Sequence, residues 1–258
     1  MKQRMITAIV AGILFLVVAA IGGAAFTVLS VILALVGFAE LLRMEKLNFF
    51  SIPAVIGFIL VLLIVIGIRY DSLSTMEWFG IAFFLLLAFT VLSKNNFHFD
   101  QAAFVVFSAL YVGLGFHYLI EVRSLNNGTA MLFFVLLLIW ATDSGAYFTG
   151  GAFGKRKLWP EISPKKTVEG AIGGIVIALI VAVFYQLVFK VYDSMALVLI
   201  AALSIGVFSQ LGDLVESALK RHYGIKDSGT ILPGHGGILD RCDSWLFVLP
   251  ILHFMNFI

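Results

Sequence analysis

The sequence is short of charge. Lysine, arginine, aspartate and glutamate make up 12% of its 258 residues, about half the roughly 25% of an ordinary soluble domain. It has a single cysteine, Cys242, which excludes an internal disulfide and any cysteine metal cluster. It has five prolines and neither a fixed-period repeat nor a low-complexity linker. A net charge of +2 gives no electrostatic footprint for a nucleic-acid partner. These shortages exclude a soluble enzyme, a disordered chain and a collagen-like repeat. What is abundant is apolar surface: 61% of the residues are hydrophobic, too many to hide in one core. The reading is an all-α, polytopic membrane protein.

The apolar runs read as helices, because lipid offers the backbone no outside hydrogen-bond partner. They fall at Met5–Ile21, Ala24–Leu42, Ile52–Ile68, Trp78–Leu92, Ala102–Ile120, Ala130–Gly150, Val168–Phe189, Met195–Leu219 and Ser244–Ile258, about nine spans in all. The first follows Lys2 and Arg4 but runs almost directly into the second, so it reads as one arm of a helical hairpin rather than a cleaved leader. With the N-terminus inside, 14 of the 17 cations fall on inner segments, and only Arg69, Arg123 and Lys190 fall outside. An odd number of spans and the positive-inside rule therefore agree, and the C-terminus is expected outside. The chain is expected to form a single membrane domain over 1–258, with spans of residues 5–120 as scaffold and residues 130–258 carrying the catalytic spans and cytoplasmic loops.

Two inner segments are long and polar, Gly151–Thr167 and Lys220–Asp243. Beside them lie two acids at membrane depth, Asp143 and Asp213, where an ionisable residue is costly and usually functional. Ser209, Asp213 and Ser217 share one helical face, and Glu216 and Lys220 form a second pair beside it. The loop Gly224–Ser244 is rich in glycine, including Gly234, Gly236 and Gly237, so its backbone can approach a ligand. Asp240 and Asp243 are spaced to share a face at a helix start; Asp243 also reads as a simple cap. Asp213 and Asp240 with backbone oxygens form a hard-oxygen set that suits Mg²⁺, with Asp243 as a further candidate, and the lack of cysteine and the single loop histidine speak against zinc. The other segment carries Lys155, Arg156, Lys157, Lys165 and Lys166 with Ser163 and Thr167, a composition that suits polyphosphate or an anionic headgroup. Acids for a metal and bases for phosphates on one face suit phosphoryl or nucleotidyl transfer to a lipid.

Two blocks carry a resemblance. Ser217-Ala-Leu-Lys-Arg, Lys226-Asp227 and Leu232-Pro-Gly-His-Gly-Gly-Ile-Leu-Asp-Arg-Cys-Asp243 resemble the signature of the phosphatidate cytidylyltransferases (CDP-diacylglycerol synthases). Asp143-Ser-Gly-Ala-Tyr through Ser163-Pro-Lys-Lys-Thr-Val-Glu-Gly170 is a second matching block, whereas the N-terminal half matches only as hydrophobic spans. The resemblance implies conversion of CTP and phosphatidate to CDP-diacylglycerol and pyrophosphate, with Mg²⁺, K⁺ as a possible second cation, and a homodimer in the bilayer. It implies Asp213 and Asp240 as metal carboxylates and places Lys220, Arg221, Lys226, Asp227 and His235 in the catalytic set. Asp143, Ser163, Lys165, Lys166, Thr167, Ser217, Gly236, Gly237 and Arg241 are the expected substrate-binding residues. Because a phosphomonoester is largely dianionic at neutral pH, His235 reads as a phosphate donor or loop-shaping residue rather than as the base; Arg241 could instead pair with Asp243. The expected location is an integral, multi-pass protein, of the cell membrane in a bacterium, with its active site on the cytoplasmic side. The alternatives are a related CTP-dependent lipid kinase and, in another class, a cation-coupled transporter using Asp143 and Asp213. A CDP-alcohol phosphotransferase is set aside because its four-aspartate pattern is absent.

Overall fold

The computed structural model describes residues 2–67, 75–232, 234 and 236–258. Among these are nine α-helices: α1 Lys2–Ile21, α2 Gly23–Met44, α3 Ile52–Leu62, α4 Thr75–Leu92, α5 Phe99–Ser124, α6 Gly128–Phe153, α7 Val168–Phe189, α8 Met195–His222 and α9 Leu239–Phe254. Five of them, α2, α5, α6, α7 and α8, are long and apolar enough to cross a membrane. The all-α polytopic reading therefore holds.

Three details differ from the sequence reading. The third helix does not run on as α-helix but closes in a π-helical turn, Leu63–Gly67. There Ile64 packs against Gly113, where a Cβ would stand 2.9 Å from the isoleucine side chain, and His117 Nδ1 lies 3.3 Å from the Val65 carbonyl oxygen. The polar segment 151–167 is not plain loop: β1 Lys157–Trp159 and β2 Ser163–Thr167 pair antiparallel in the register Lys157↔Thr167 and Trp159↔Ser163. The last helix starts at Leu239 rather than Ser244. Its first turns carry Asp240, Arg241 and Asp243, and acids there are favoured by the positive helix N-terminus.

Helix starts follow their sequence signals. Ser51, Thr167 and Ser194 accept hydrogen bonds from the backbone N–H groups of Ala54, Gly170 and Leu197 at the starts of α3, α7 and α8, satisfying donors that have no partner within the helix.

The chain packs as two compact units. The first comprises residues 1–120 and 227–240, the second residues 121–226 and 241–258. In the first, Phe38, Leu41 and Leu42 of α2 are fully buried, and Phe38 stacks edge-on against Phe58 of α3 at 5.1 Å between ring centroids. The segment 227–240 belongs to this unit, with Leu239 closing on Gly37 of α2.

In the second unit α6 and α7 meet along a seam of glycines. A Cβ at Gly174 would stand 2.6 Å from the Thr142 carbonyl oxygen, one at Gly145 would stand 3.0 Å from the Gly174 Cα, and one at Gly170 would stand 2.8 Å from the Ala146 carbonyl oxygen. Without lipid-versus-lipid hydrophobic drive, such close backbone approach is what holds membrane helices together. A bulkier residue here must push the helices apart. Gly174→Leu is expected to destabilise the detergent-solubilised protein by about 1–3 kcal/mol, the usual range for overpacking. Gly80→Ala, where nothing lies within 4 Å of the added carbon, should leave the melting temperature unchanged. A thermal melt of both variants decides it.

Candidate active site

The cavity of interest lies in the second unit, where α6, α7 and α8 meet the hairpin. It measures about 340 Å³ and is lined by Asp143, Ala146, Tyr147 and Gly150 of α6, Gly151, Leu158 of β1, Lys165, Lys166 and Thr167 of β2, Gly170 and Ala171 of α7, and Gln210 and Asp213 of α8. The glycine seam makes room for it. The hairpin delivers the cations to it: Glu169, in the first turn of α7, accepts hydrogen bonds from the Lys155 and Arg156 backbone N–H groups at 3.0 and 3.1 Å, fixing the segment that leads into β1. Gln210 is held by donating to the carbonyls of Ala171 and Gly206 at 3.2 and 2.9 Å.

The central contact is an ion pair between Lys166 Nζ and Asp213 Oδ2 at 2.6 Å. Ser217 Oγ donates to the other oxygen of Asp213 at 3.3 Å, as their shared helical face predicted. Asp143, Asp213 and Asp243 interact electrostatically with one another, with Lys166 within reach of Asp143 and Lys220 within reach of Asp243. Like charges held close in a poorly solvated site repel, so the trio calls for positive charge beyond the two lysines. Among the described residues no three His, Cys, Asp or Glu side chains converge closely enough to hold a metal ion by themselves. This arrangement fits Mg²⁺ in its usual protein setting, one or two carboxylates with the remaining ligands from substrate phosphates and water.

The other expected residues take separate places. Lys220 is committed to Glu216, which is buried, at 2.7 Å. Arg221 donates to the carbonyls of Ile162 and Ile225 at 3.3 and 3.4 Å, tying the hairpin turn to the end of α8. Thr167 lines the cavity and also caps α7. Ser163 pairs with Trp159 at the tight end of the hairpin and does not line the cavity. Lys226, Asp227 and Arg241 are exposed. His235 and its neighbour Pro233 lie outside the described residues.

Asp240 belongs to the first unit and works within its own loop. Its Oδ2 accepts hydrogen bonds from the Ser228 N–H at 2.8 Å, the Ser228 hydroxyl at 3.0 Å and the Gly237 N–H at 2.8 Å. Gly236 has φ +84°, and a Cβ there would collide with the same carboxylate oxygen, so glycine is required both by its conformation and by its contact. Sequence reasoning passed over one acid in this unit, Glu40 of α2, which is 3% exposed. It accepts from the Ser228 hydroxyl at 2.8 Å and from the N–H groups of Ile238 and Leu239 at 2.8 and 3.0 Å. Its sequence signal is weak: a glutamate in an otherwise apolar stretch, near a helix end.

Residues 2–258 match the cytidylyltransferase family. The chain is 51% identical to the phosphatidate cytidylyltransferase of Bacillus subtilis (strain 168) over 261 residues, covering 99% of this chain and 97% of that protein. It is 47% identical to the Staphylococcus saprophyticus phosphatidate cytidylyltransferase, covering 99% and 98%, and 44% identical to the Staphylococcus epidermidis protein of the same name over the same shares. With acids and lysines gathered on one cavity and the match running over nearly its whole length, the chain belongs to the cytidylyltransferase family.

Proposed function

We propose that this protein transfers the cytidylyl group of CTP to phosphatidate, giving CDP-diacylglycerol and pyrophosphate. The observation that carries the proposal is the cavity in which Asp143 and Asp213 face Lys165 and Lys166, in a membrane chain of the cytidylyltransferase family whose relatives are named for this reaction.

In this reading a phosphate oxygen of phosphatidate attacks the α-phosphorus of CTP. The new O–Pα bond forms as the bond from Pα to the bridging oxygen breaks, and that oxygen leaves with its electron pair as part of pyrophosphate. The attacking phosphate is largely dianionic at neutral pH, since its second pKa is about 6, so no strong base has to remove a proton. The barrier is the approach of two anions and the charge on the leaving group. Charge stabilisation in a site of low dielectric is the term that matters.

Lys165 and Lys166 supply that charge at the cavity wall. Lys166 is shared, because an entering phosphate competes with Asp213 for its ammonium. Lys220 is held by Glu216 and lies within reach of Asp243, and Arg221 ties the hairpin turn to the end of α8. Asp213 and Asp243 would hold Mg²⁺ together with substrate phosphate oxygens, with Asp143 beside them at the cavity, and K⁺ would serve as the second cation. The metal when bound supplies Lewis-acid neutralisation of the phosphates. An active site on the cytoplasmic side, following the cation bias, and a homodimer complete the proposal.

The direct test incubates purified protein with labelled CTP, phosphatidate and Mg²⁺ and identifies the lipid product. CDP-diacylglycerol is expected. A phosphorylated lipid without cytidine would point to the kinase alternative, and no lipid product across varied detergents and K⁺ would overturn the reading. Removing divalent cations with a chelator should stop turnover, and adding Mg²⁺ back should restore it.

Three further variants probe the site. Asp213→Asn is expected to lower kcat by about 100-fold or more, in the range seen when a preorganised charge at a reacting centre is removed. Asp240→Asn is likewise expected to abolish turnover while the protein stays folded by gel filtration, and near-normal activity would remove Asp240 from the reaction. Lys166→Gln is expected to raise the KM for CTP while Asp213 remains in place. A Lys166→Gln enzyme with unchanged steady-state constants would remove Lys166 from the phosphate site.

A further inference from the structure

A buried carboxylate in the first unit has no part in the chemistry above. Glu40 sits near the inner turns of α2 and is 3% exposed, and burying a charge without compensation is expensive. Its compensation comes from a single segment of chain about 190 residues away in sequence. Oε1 accepts from the Ile238 N–H, and Oε2 accepts from the Leu239 N–H and the Ser228 hydroxyl. Ile238 and Leu239 open α9, so Glu40 fills the place of an N-terminal cap for a helix to which it does not belong. The helix N-terminus, with its unpaired N–H groups and positive dipole end, answers the negative charge.

The loop is built to receive this side chain. A Cβ at Gly229 would stand 2.6 Å from Glu40 Oε1, and one at Gly237 would collide with both carboxylate oxygens and with Ser228 Oγ. The absence of side chains at 229 and 237 therefore serves the close approach of Glu40. Ser228 joins the two acids of this unit, its hydroxyl lying 2.8 Å from Glu40 Oε2 and 3.0 Å from Asp240 Oδ2. A hydroxyl has one proton to give, so it donates to one carboxylate at a time, while the Ser228 and Gly237 N–H groups hold Asp240. One clamp thus fixes both ends of the segment 227–240, which carries Asp227, Gly236, Gly237 and Asp240.

We propose that Glu40 is a positioning residue: from α2 it anchors the segment Asp227–Asp240 and the start of α9, and so sets the placement of the Asp240 carboxylate for the cytidylyl transfer. It touches neither substrate nor reacting atoms. The proposal rests on the cytidylyltransferase reading, but its first test does not need turnover.

Hydrogen–deuterium exchange is measured on purified wild-type protein and on Glu40→Gln, which keeps the shape of the side chain but turns one acceptor into a donor facing donors. The amides of Ile238 and Leu239 should exchange at least about tenfold faster in Glu40→Gln, because protection of a local unit follows its own hydrogen bonds. Peptides from the rest of α2 and from α3 should exchange as in wild type. In steady state, kcat should fall about tenfold or more while the KM for CTP stays within about twofold, as expected when an interaction made in the transition state is weakened. Unchanged exchange in 227–240 would overturn the proposal. So would faster exchange spread evenly through α2 and α3, or a loss of rate matched by a loss of folded protein, since those mark a general stability role.

If Glu40→Gln yields no monodisperse protein, Ser228→Ala carries the test. It removes the hydroxyl and leaves the amides to both carboxylates, so local loosening of 227–240 is expected, and wild-type exchange there would overturn the clamp. Wild-type protein that makes no CDP-diacylglycerol would sink the activity reading and leave the exchange result standing.

Discussion

A carboxylate packed among apolar helices must be met by a cation or by hydrogen-bond donors, because neither lipid nor side-chain hydrocarbon will solvate it. The acids of this protein are arranged around that requirement. Asp213 is met by Lys166, Glu216 by Lys220 and Glu40 by two amides and a hydroxyl. The partners come from a short hairpin, the next turn of α8, and a helix start.

The glycine seam between α6 and α7 is what makes the cavity possible in the second unit. At Gly145 and Gly174 the two backbones close on each other; nearer the end of α6 and the start of α7, Gly150, Gly151 and Gly170 line the cavity, and beyond Phe153 the chain enters the hairpin. The same threonine that caps α7 lines the cavity wall. Helix start, strand end and cavity are therefore one construction, so substitutions at Thr167 or Gly170 act on packing and on the cavity together.

Much of this could be read from the sequence, for physical reasons. Helices were legible because hydrocarbon length sets a minimum apolar run, and Val168–Phe189 is placed the same by sequence and by structure. Asp213 stood out because an acid in such a run has few innocent explanations. Its pairing with Lys166 was not legible as a contact, since it depends on a hairpin of three and five residues, too short and too polar to give a strand pattern. Glu40 was missed for a different reason. Two of its three partners are backbone amides, which carry no sequence signal, and all three lie far along the chain, at Ser228, Ile238 and Leu239. Gly237, one of the glycines that suggest room for a ligand, in fact makes room for Glu40, as does Gly229.

The two kinds of compensation have different consequences for function. An acid held by backbone amides and a helix N-terminus is held by groups that cannot move away without undoing the helix start, so Glu40 is suited to fixing a loop. An acid held by a lysine on a hairpin is held by a flexible, strongly hydrated point charge that an incoming phosphate can draw off. Lys166 is 26% exposed and Asp213 34% at their side chains, against 12% and 1% for Lys220 and Glu216. Exchange of partners costs least where water already reaches the pair, which singles out Lys166–Asp213 rather than Lys220–Glu216 as the pair a polyanionic substrate can open. In the proposed reaction the buried Glu216–Lys220 pair would stay closed, and the exposed Lys166–Asp213 pair at the cavity is the one a substrate phosphate would open.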